Sequence, residues 1–398
     1  MSIQSHTHWR QALVVATLAI FLSACSSDDD DSPDTDPTDE GQSQNGETPE
    51  PTAEGRFADP VDSPVLDFSE SRVYWDMETN SIVSASDDWE LSVRVDGQDY
   101  PIQVNGGASG EGNAGIGILL LDSAQDVTDP SDKTQVYQFF GDIATGVLST
   151  PGDYGAFEYS VEGQHQMWPT FATYLLKDAT GNLFKMQVIS NYGEDGQQRS
   201  GNLVVRYASA AVDTTVAAMD ATDASVAAKF DMIRSQTVAD NAWQFAYQRY
   251  LGFTTNGGTS GDGGVSGCVV ASYPALYDDQ GQPVAEAFKT LTGESTLADF
   301  ESVAMVEADC LGEGMVADNI DTLVETEHWL DADYSSGAPQ FAAKEDVTNA
   351  WIVRGAADDS DGNRAYARVR VKEVNVDLAG AQPSRQLVLS TEMWVSGQ

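Results

Sequence analysis

Cysteine and histidine are scarce in this 398-residue chain: three cysteines, Cys25, Cys268 and Cys310, and four histidines, His6, His8, His165 and His328. Cysteines set so far apart form no C-x-x-C redox or zinc pair. The sequence also lacks a Walker loop, a G-x-S-x-G elbow and an H-E-x-x-H helix, the spacings that carry phosphate, acyl and zinc-hydrolase chemistry. Basic residues are few, 20 Lys and Arg against 63 Asp and Glu, for a net charge of −43. A chain of that sign repels phosphate backbones and anionic headgroups, which excludes nucleic acid and an anionic lipid surface as partners. Carboxylates are so dense that any glycosidase-like pair is uninformative, and their simplest role is surface solvation. These absences point to a non-enzymatic binding protein.

The N-terminus is more specific. One positive charge, Arg10, precedes the apolar run ALVVATLAIFL, and Ser23, Ala24 and Cys25 follow. The run is too short to span a bilayer, and with its small-residue end it reads as a secretory signal peptide over 1–24. LSAC at 22–25 is a lipobox pattern, which makes Cys25 the lipid-attachment residue, carrying palmitate among its acyl chains; several chains are needed for stable anchoring. Ser26 in place of an Asp favours the outer membrane, by resemblance to envelope sorting rules. From Ser26 to Glu54 there is no Lys, Arg or aromatic residue, and so acidic and apolar-poor a stretch is expected to remain a disordered tether, assigned to 25–60. Outside the cytoplasm, Cys268 and Cys310 are expected to pair as a disulfide.

The body contains an internal repeat. NGGASGEG at 105–112 and NGGTSGDG at 256–263 agree at six of eight positions. Upstream, SESRVYWDMETNSIVS (69–84) corresponds to TDASVAAKFDMIRSQTVA (222–239), and Trp89 to Trp243. Downstream, TYLLKDATGNLFKMQVISNYG (173–193) pairs with 350–374, and 200–208 with 385–394. Short runs rich in Val, Ile, Tyr, Phe and Trp between Gly, Asp and Asn turns predict a mainly β fold, with hairpins at the D-x-G-N and D-G-N turns. Short helices are predicted only at 284–293 and 295–305. The expected organisation is two tandem β-rich domains, 61–210 and 211–398. The D-D-S-D-G-N stretch at 358–363 lacks the register and terminal Glu of a calcium loop and reads as a turn.

WQFAYQRY (243–250), the two NGG loops, WIVRGA…DGNRAYARVRV and YLLKDATGNLFKMQV, taken with the lipobox, resemble the HmuY family of haem-binding bacterial lipoproteins. The resemblance covers nearly the whole body, twice, although WELSVRV (89–95) matches the family strand less well. It implies a β-rich fold that captures haem outside the cell for a TonB-dependent outer-membrane receptor. It also places a His near His165, here followed by Gln166, Met167, Trp168 and Pro169. Imidazole is a good iron ligand, so His165 is the leading candidate for the haem iron and Met167 for a second ligand, with Trp168 and Tyr174 beside the porphyrin. The NGG loops are either a pocket wall or a bulged strand connection. The second repeat has no His at the matching place; His328 lies upstream and reads as structural or exposed. The alternative to a haemophore is an adhesin or receptor-accessory protein that keeps the fold without the haem.

Overall fold

A computed structural model describes residues 55–149, 155–312, 314–335, 339–358, 364–379 and 382–396. The expected signal peptide, Cys25, the expected tether up to residue 54 and most of the 358–363 stretch lie outside the described residues. The fold is mainly β, as expected, with a few short helices that include Ala285–Thr290 and Leu297–Ser302. The chain is already paired at Arg56–Phe57, inside the stretch assigned to the tether.

Two compact units emerge, but not as consecutive stretches divided at 210. One is continuous, Ile143–Asp321; the other is split, joining the chain up to Asp142 with the chain from Thr322. The split unit begins with an antiparallel quartet of strands, Val73–Asp76, Ser81–Val83, Leu91–Val93 and Ile102–Val104. After the first NGG loop, Gly115–Leu119 joins a second sheet. There it pairs with Trp351–Asp358, matching Ile116 to Val353, and the sheet continues through Arg364–Asp377 to Ser384–Val395. In the last two strands, alternation decides which side is core. Ala367, Val369, Val371, Leu387 and Leu389 are buried, while intervening Arg368, Arg370 and Lys372 are only half-buried or exposed, the period-2 signature of a sheet packed on one face. They meet Trp75, Leu91, Ile102 and Val104 of the quartet in one core. Residues 56–67 lie along Ser384–Val395 as three short strand pieces, covering an edge that would otherwise offer unpaired N–H and C=O groups.

The continuous unit repeats this wiring. Its quartet is Ala228–Asp231, Gln236–Val238, Phe245–Gln248 and Gly252–Thr255. After the second NGG loop, Ser266–Ala271 pairs with Thr173–Lys177, which leads through Leu183–Ser190 and Asn202–Ser209 to Thr215–Asp220. Tyr174, Phe184, Met186, Val205 and Tyr207 pack on Phe230 and Phe245. The quartet of each repeat is therefore completed by the hairpin of the other repeat. The two halves of the sequence repeat have exchanged partners within one chain.

The continuous unit also carries an insertion between Ala271 and Asp318, tied to its sheet by the Cys268–Cys310 disulfide, with Cα atoms 5.6 Å apart. Lys185, almost fully buried, donates to the carbonyls of Phe300 at 2.7 Å and Val303 at 2.8 Å, at the end of Leu297–Ser302. Arg206 reaches Gln187 Oε1 at 2.8 Å and the Gly293 carbonyl. These carbonyls compensate the desolvated cations and fix the insertion on the sheet face.

The quartets differ at one buried position. Glu90 in the split unit is 2 % exposed; its carboxylate accepts the Met77 N–H at 2.8 Å and the Ala356 N–H at 3.0 Å. At the corresponding place Gln244 accepts the Met232 N–H at 2.7 Å. Burial, with Asp76 and Glu78 nearby, pushes the Glu90 carboxyl up to about 7 against the two N–H bonds that favour its charged form.

Two outcomes follow. A carboxyl raised in the fold favours the native state most below its unfolded pKa, and that advantage is lost as pH rises through the native value. Glu90 should therefore cost about 3 kcal/mol of stability between pH 4.5 and pH 7, and Glu90→Gln should flatten that part of a urea-unfolding series against pH; an unchanged slope would remove Glu90 as its source. A protease site placed in the exposed turn between Asp223 and Val226 tests the exchange of halves. After cutting, the two fragments should co-elute on native gel filtration, whereas consecutive domains would separate.

Candidate functional site

Each NGG loop closes on a buried aspartate. Gly107 and Gly258 adopt φ of 64° and 59°, and a Cβ on either would stand 2.0 Å and 1.9 Å from the carbonyl oxygens of Asp142 and Asp318. Only glycine fits there. Those same carbonyls accept the Ala108 N–H at 2.8 Å and the Thr259 N–H at 3.0 Å. The Asp142 carboxylate accepts from Val104 N at 3.0 Å and Ser109 Oγ at 2.5 Å; that of Asp318 accepts from Thr255 N and Thr255 Oγ1, both at 2.7 Å. Burial raises the Asp318 carboxyl, opposed by these bonds. Asn105 and Asn256 complete the loops by accepting the N–H groups of Gly112 and Gly263 at 3.0 Å. With their polar groups turned inward on the aspartates, the loops act as strand connections. Neither aspartate was singled out in the sequence, where any one acid is lost among so many.

His165 stands at the tip of a small hairpin, Phe157–Tyr159 paired with Met167–Pro169. The turn is held by Ser160 N to Gln166 O at 2.7 Å and Gly163 N to Ser160 O at 2.8 Å. His165 and Ser160 both take positive φ, 54° and 56°, a region non-glycine residues seldom enter. The His165 side chain is exposed, and its Nδ1 lies 3.0 Å from the hydroxyl of Tyr159. Tyr159 is half-buried; burial first, and then the neighbouring Tyr192, hold its phenol protonated above the ordinary range.

The other expected members of the site are arranged differently. Met167 packs against the core of the unit, and its N–H donates to the Tyr192 hydroxyl at 2.9 Å. Tyr174 is fully buried in that core, away from solvent, so it does not flank an exposed ligand. Trp168 meets Phe288 of the insertion edge-on, with ring centroids 6.3 Å apart. Tyr277 donates to Glu158 Oε2 at 3.0 Å, and Lys289 pairs with Glu162 of the turn. The insertion thus braces the hairpin. Tyr159 was legible only as a strand aromatic: the six-residue separation from His165 becomes contact only after the turn closes.

The corresponding hairpin of the split unit is Leu330–Asp333 with Gln340–Ala343. Counting from the innermost pairs, Phe157 with Pro169 and Leu330 with Ala343, the place of Tyr159 and Met167 is taken by Ala332 and Phe341. His328 sits before this hairpin and accepts the Glu325 N–H on Nδ1 at 3.1 Å; burial lowers its basicity. Glu325, Glu327 and His328 gather their ligand atoms within 4.8 Å of one another. An Nδ1 engaged as acceptor leaves the imidazole proton on Nε2, so His328 offers no lone pair to a metal without losing that bond. It is a structural cap, in keeping with its reading from sequence.

A groove of about 550 Å³ begins next to Tyr192, lined by Gly193, Glu194, Asp195, Gln198, Met219 and Asp220 among others. Its acidic wall disfavours an anionic ligand. Among the described residues no helix is long and apolar enough to cross a membrane. No family model matches the chain, and no curated protein or solved structure matches it either.

Proposed function

We propose that the chain is an exported lipoprotein, anchored in the outer membrane through Cys25, that binds haem and hands it to a TonB-dependent receptor without chemical turnover. The observation that carries this reading is the Tyr159–His165 pair: an oxygen and a nitrogen donor 3.0 Å apart on an exposed hairpin tip. Both are residue types that hold haem iron, and the donor set fits the group. Trp168 and the braced turn limit the motion of the pair, which preorganises it. Lys289 beside the turn, shared between Glu162 and Glu286, is a cation within the insertion for a propionate to find. The packed thioether of Met167 argues for a single protein donor in place of two.

A second reading, an adhesin or receptor-accessory protein that keeps the fold without haem, is favoured by the acidic groove. Glu194, Asp195 and Asp220 would repel propionates and suit a cationic partner surface instead.

Haemin titrated into the chain from Ser26 to Gln398 separates the two. The haem reading expects a stoichiometric Soret shift, with His165→Ala weakening affinity on the order of tenfold to a hundredfold. A wild-type chain that leaves the haemin spectrum unchanged in either iron oxidation state would leave only the second reading.

A further inference from the structure

We infer that Thr215–Asp220 is an open sheet edge to which a partner protein adds an extended, basic segment. This deepens the second reading, whose cationic partner it specifies, and does not call on haem. Thr215–Asp220 lies at one end of its sheet. It pairs with Asn202–Ser209, from Asp220 opposite Asn202 to Thr215 opposite Tyr207, with no register shift. Among the described residues no backbone hydrogen bond reaches its other side. The quartet strand Gln236–Val238 passes close by without pairing. The edge therefore presents a row of N–H and C=O groups suited to one more strand.

Such edges are commonly guarded by proline, lysine, a bulge or a covering segment. The split unit guards its counterpart, residues 56–67, which precede its quartet as 215–220 precede the other. They pair only in two-residue pieces, with Pro60 and Pro64 between the pieces, and Lys372 holds Asp62 at 2.5 Å. Proline has no N–H to offer an incoming strand. TVAAMD (215–220) has no proline, lysine or bulge, and its Val216 is 51 % exposed. Two copies of one element thus differ in the features that keep strands from adding.

The charge of the partner follows from what lies at the end of this strand. Ala218, Met219 and Asp220 line the groove of about 550 Å³ together with Glu194 and Asp195. One oxygen of Asp195 accepts Gln197 N–H at 3.0 Å, and one of Asp220 accepts Thr222 N–H at 2.9 Å. Their second oxygens and the Glu194 carboxylate have no hydrogen-bond or ion-pair partner among the described residues. Arg199 nearby donates to Thr222 Oγ1 at 2.7 Å. A groove of this size takes a lysine or arginine side chain. Main-chain bonds along the edge supply affinity, and a basic side chain in the groove sets the register. A second copy of this chain is the poorer occupant, since a net charge of −43 repels itself.

The test uses the chain from Ser26 to Gln398 and a fluorescent peptide of alternating Val and Thr with Lys at both ends. Two control peptides carry Glu for Lys, or an N-methylated backbone. Fluorescence anisotropy should show the Lys peptide bound and both controls unbound. Ala218→Lys, which guards the edge, and Glu194→Gln with Asp195→Asn, which neutralises the groove, should each weaken binding about tenfold. Melting curves confirm that these variants fold. Amide exchange over Thr215–Asp220 should slow when the Lys peptide is bound. His165→Ala should leave peptide binding unchanged, so the haem reading and this one fail separately. Equal binding of the N-methylated peptide would overturn strand addition. So would no binding of the Lys peptide, or a chain that self-associates until Ala218→Lys is introduced.

Discussion

A buried aspartate closing a glycine loop, made once at Asp142 and again at Asp318, is the constraint on which the rest of the architecture depends. A carboxylate 2 % or 4 % exposed is costly to bury, and the cost is offset only when N–H and O–H donors surround it. Val104 and Ser109 do this for Asp142, and Thr255 through two groups for Asp318. The loop must bring those donors to the acid, and its backbone approaches so closely that Gly107 and Gly258 admit no Cβ. Loop and acid are thus one device. A larger residue at either glycine, or loss of either acid, takes the acceptor away from the buried Val104 and Thr255 N–H groups, which is costly.

The position of each aspartate then decides the route of the chain. Asp142 immediately precedes Ile143–Thr145, and Asp318 immediately precedes Asn319–Asp321. These two short strands pair with one another in antiparallel register, Ala144 opposite Ile320. Ala144 and Ile320 each stand two residues beyond their aspartates, so every position pairs around its own repeat counterpart, as in an isologous contact between two copies. From there the first repeat's hairpin completes the second repeat's quartet, and the reverse. Contacts that a tandem reading would confine to one repeat thus become contacts between distant parts of the sequence.

The sequence made the elements legible but not their partners. Alternation in 364–377 and 384–395 gives strand and face; the D-x-G-N and D-G-N turns give the hairpins; the two octets give the repeat and its glycine loops. Period-2 patterning says which side of a strand is buried and nothing about which strand lies beside it. Trp351–Asp358 could satisfy its apolar face against Gly115–Leu119 or Ser266–Ala271 equally well on composition. The tandem division at 210 is the natural choice from sequence order, and the exchange that replaces it shows only in the register. Thr173–Lys177 is buried on both faces over its first four residues, so it has no alternation, and the assignment of Tyr174 to the site rather than to the core had no pattern to correct it. The same limit hid Tyr159, whose contact depends on a turn with two non-glycine residues, Ser160 and His165, at positive φ.

The candidate site is small because it sits on a hairpin tip and not in the core. Tip placement limits the apolar area a planar ligand can bury, and with it the affinity available from desolvation. On the haem reading, binding there would draw on the bond to iron more than on enclosure. Such a bond is directional, responds to ligand chemistry and redox state, and can be broken without opening the fold. On that reading, most of the ligand would stay uncovered for a second protein to grip, which would suit transfer better than storage. The split unit argues the same point from the other side. With Ala332 and Phe341 at the matching positions, its hairpin has the same antiparallel pairing without the two donors. The two tips thus differ, one carrying an oxygen–nitrogen pair at Tyr159 and His165 and the other an aromatic contact between Phe341 and the exposed Tyr334.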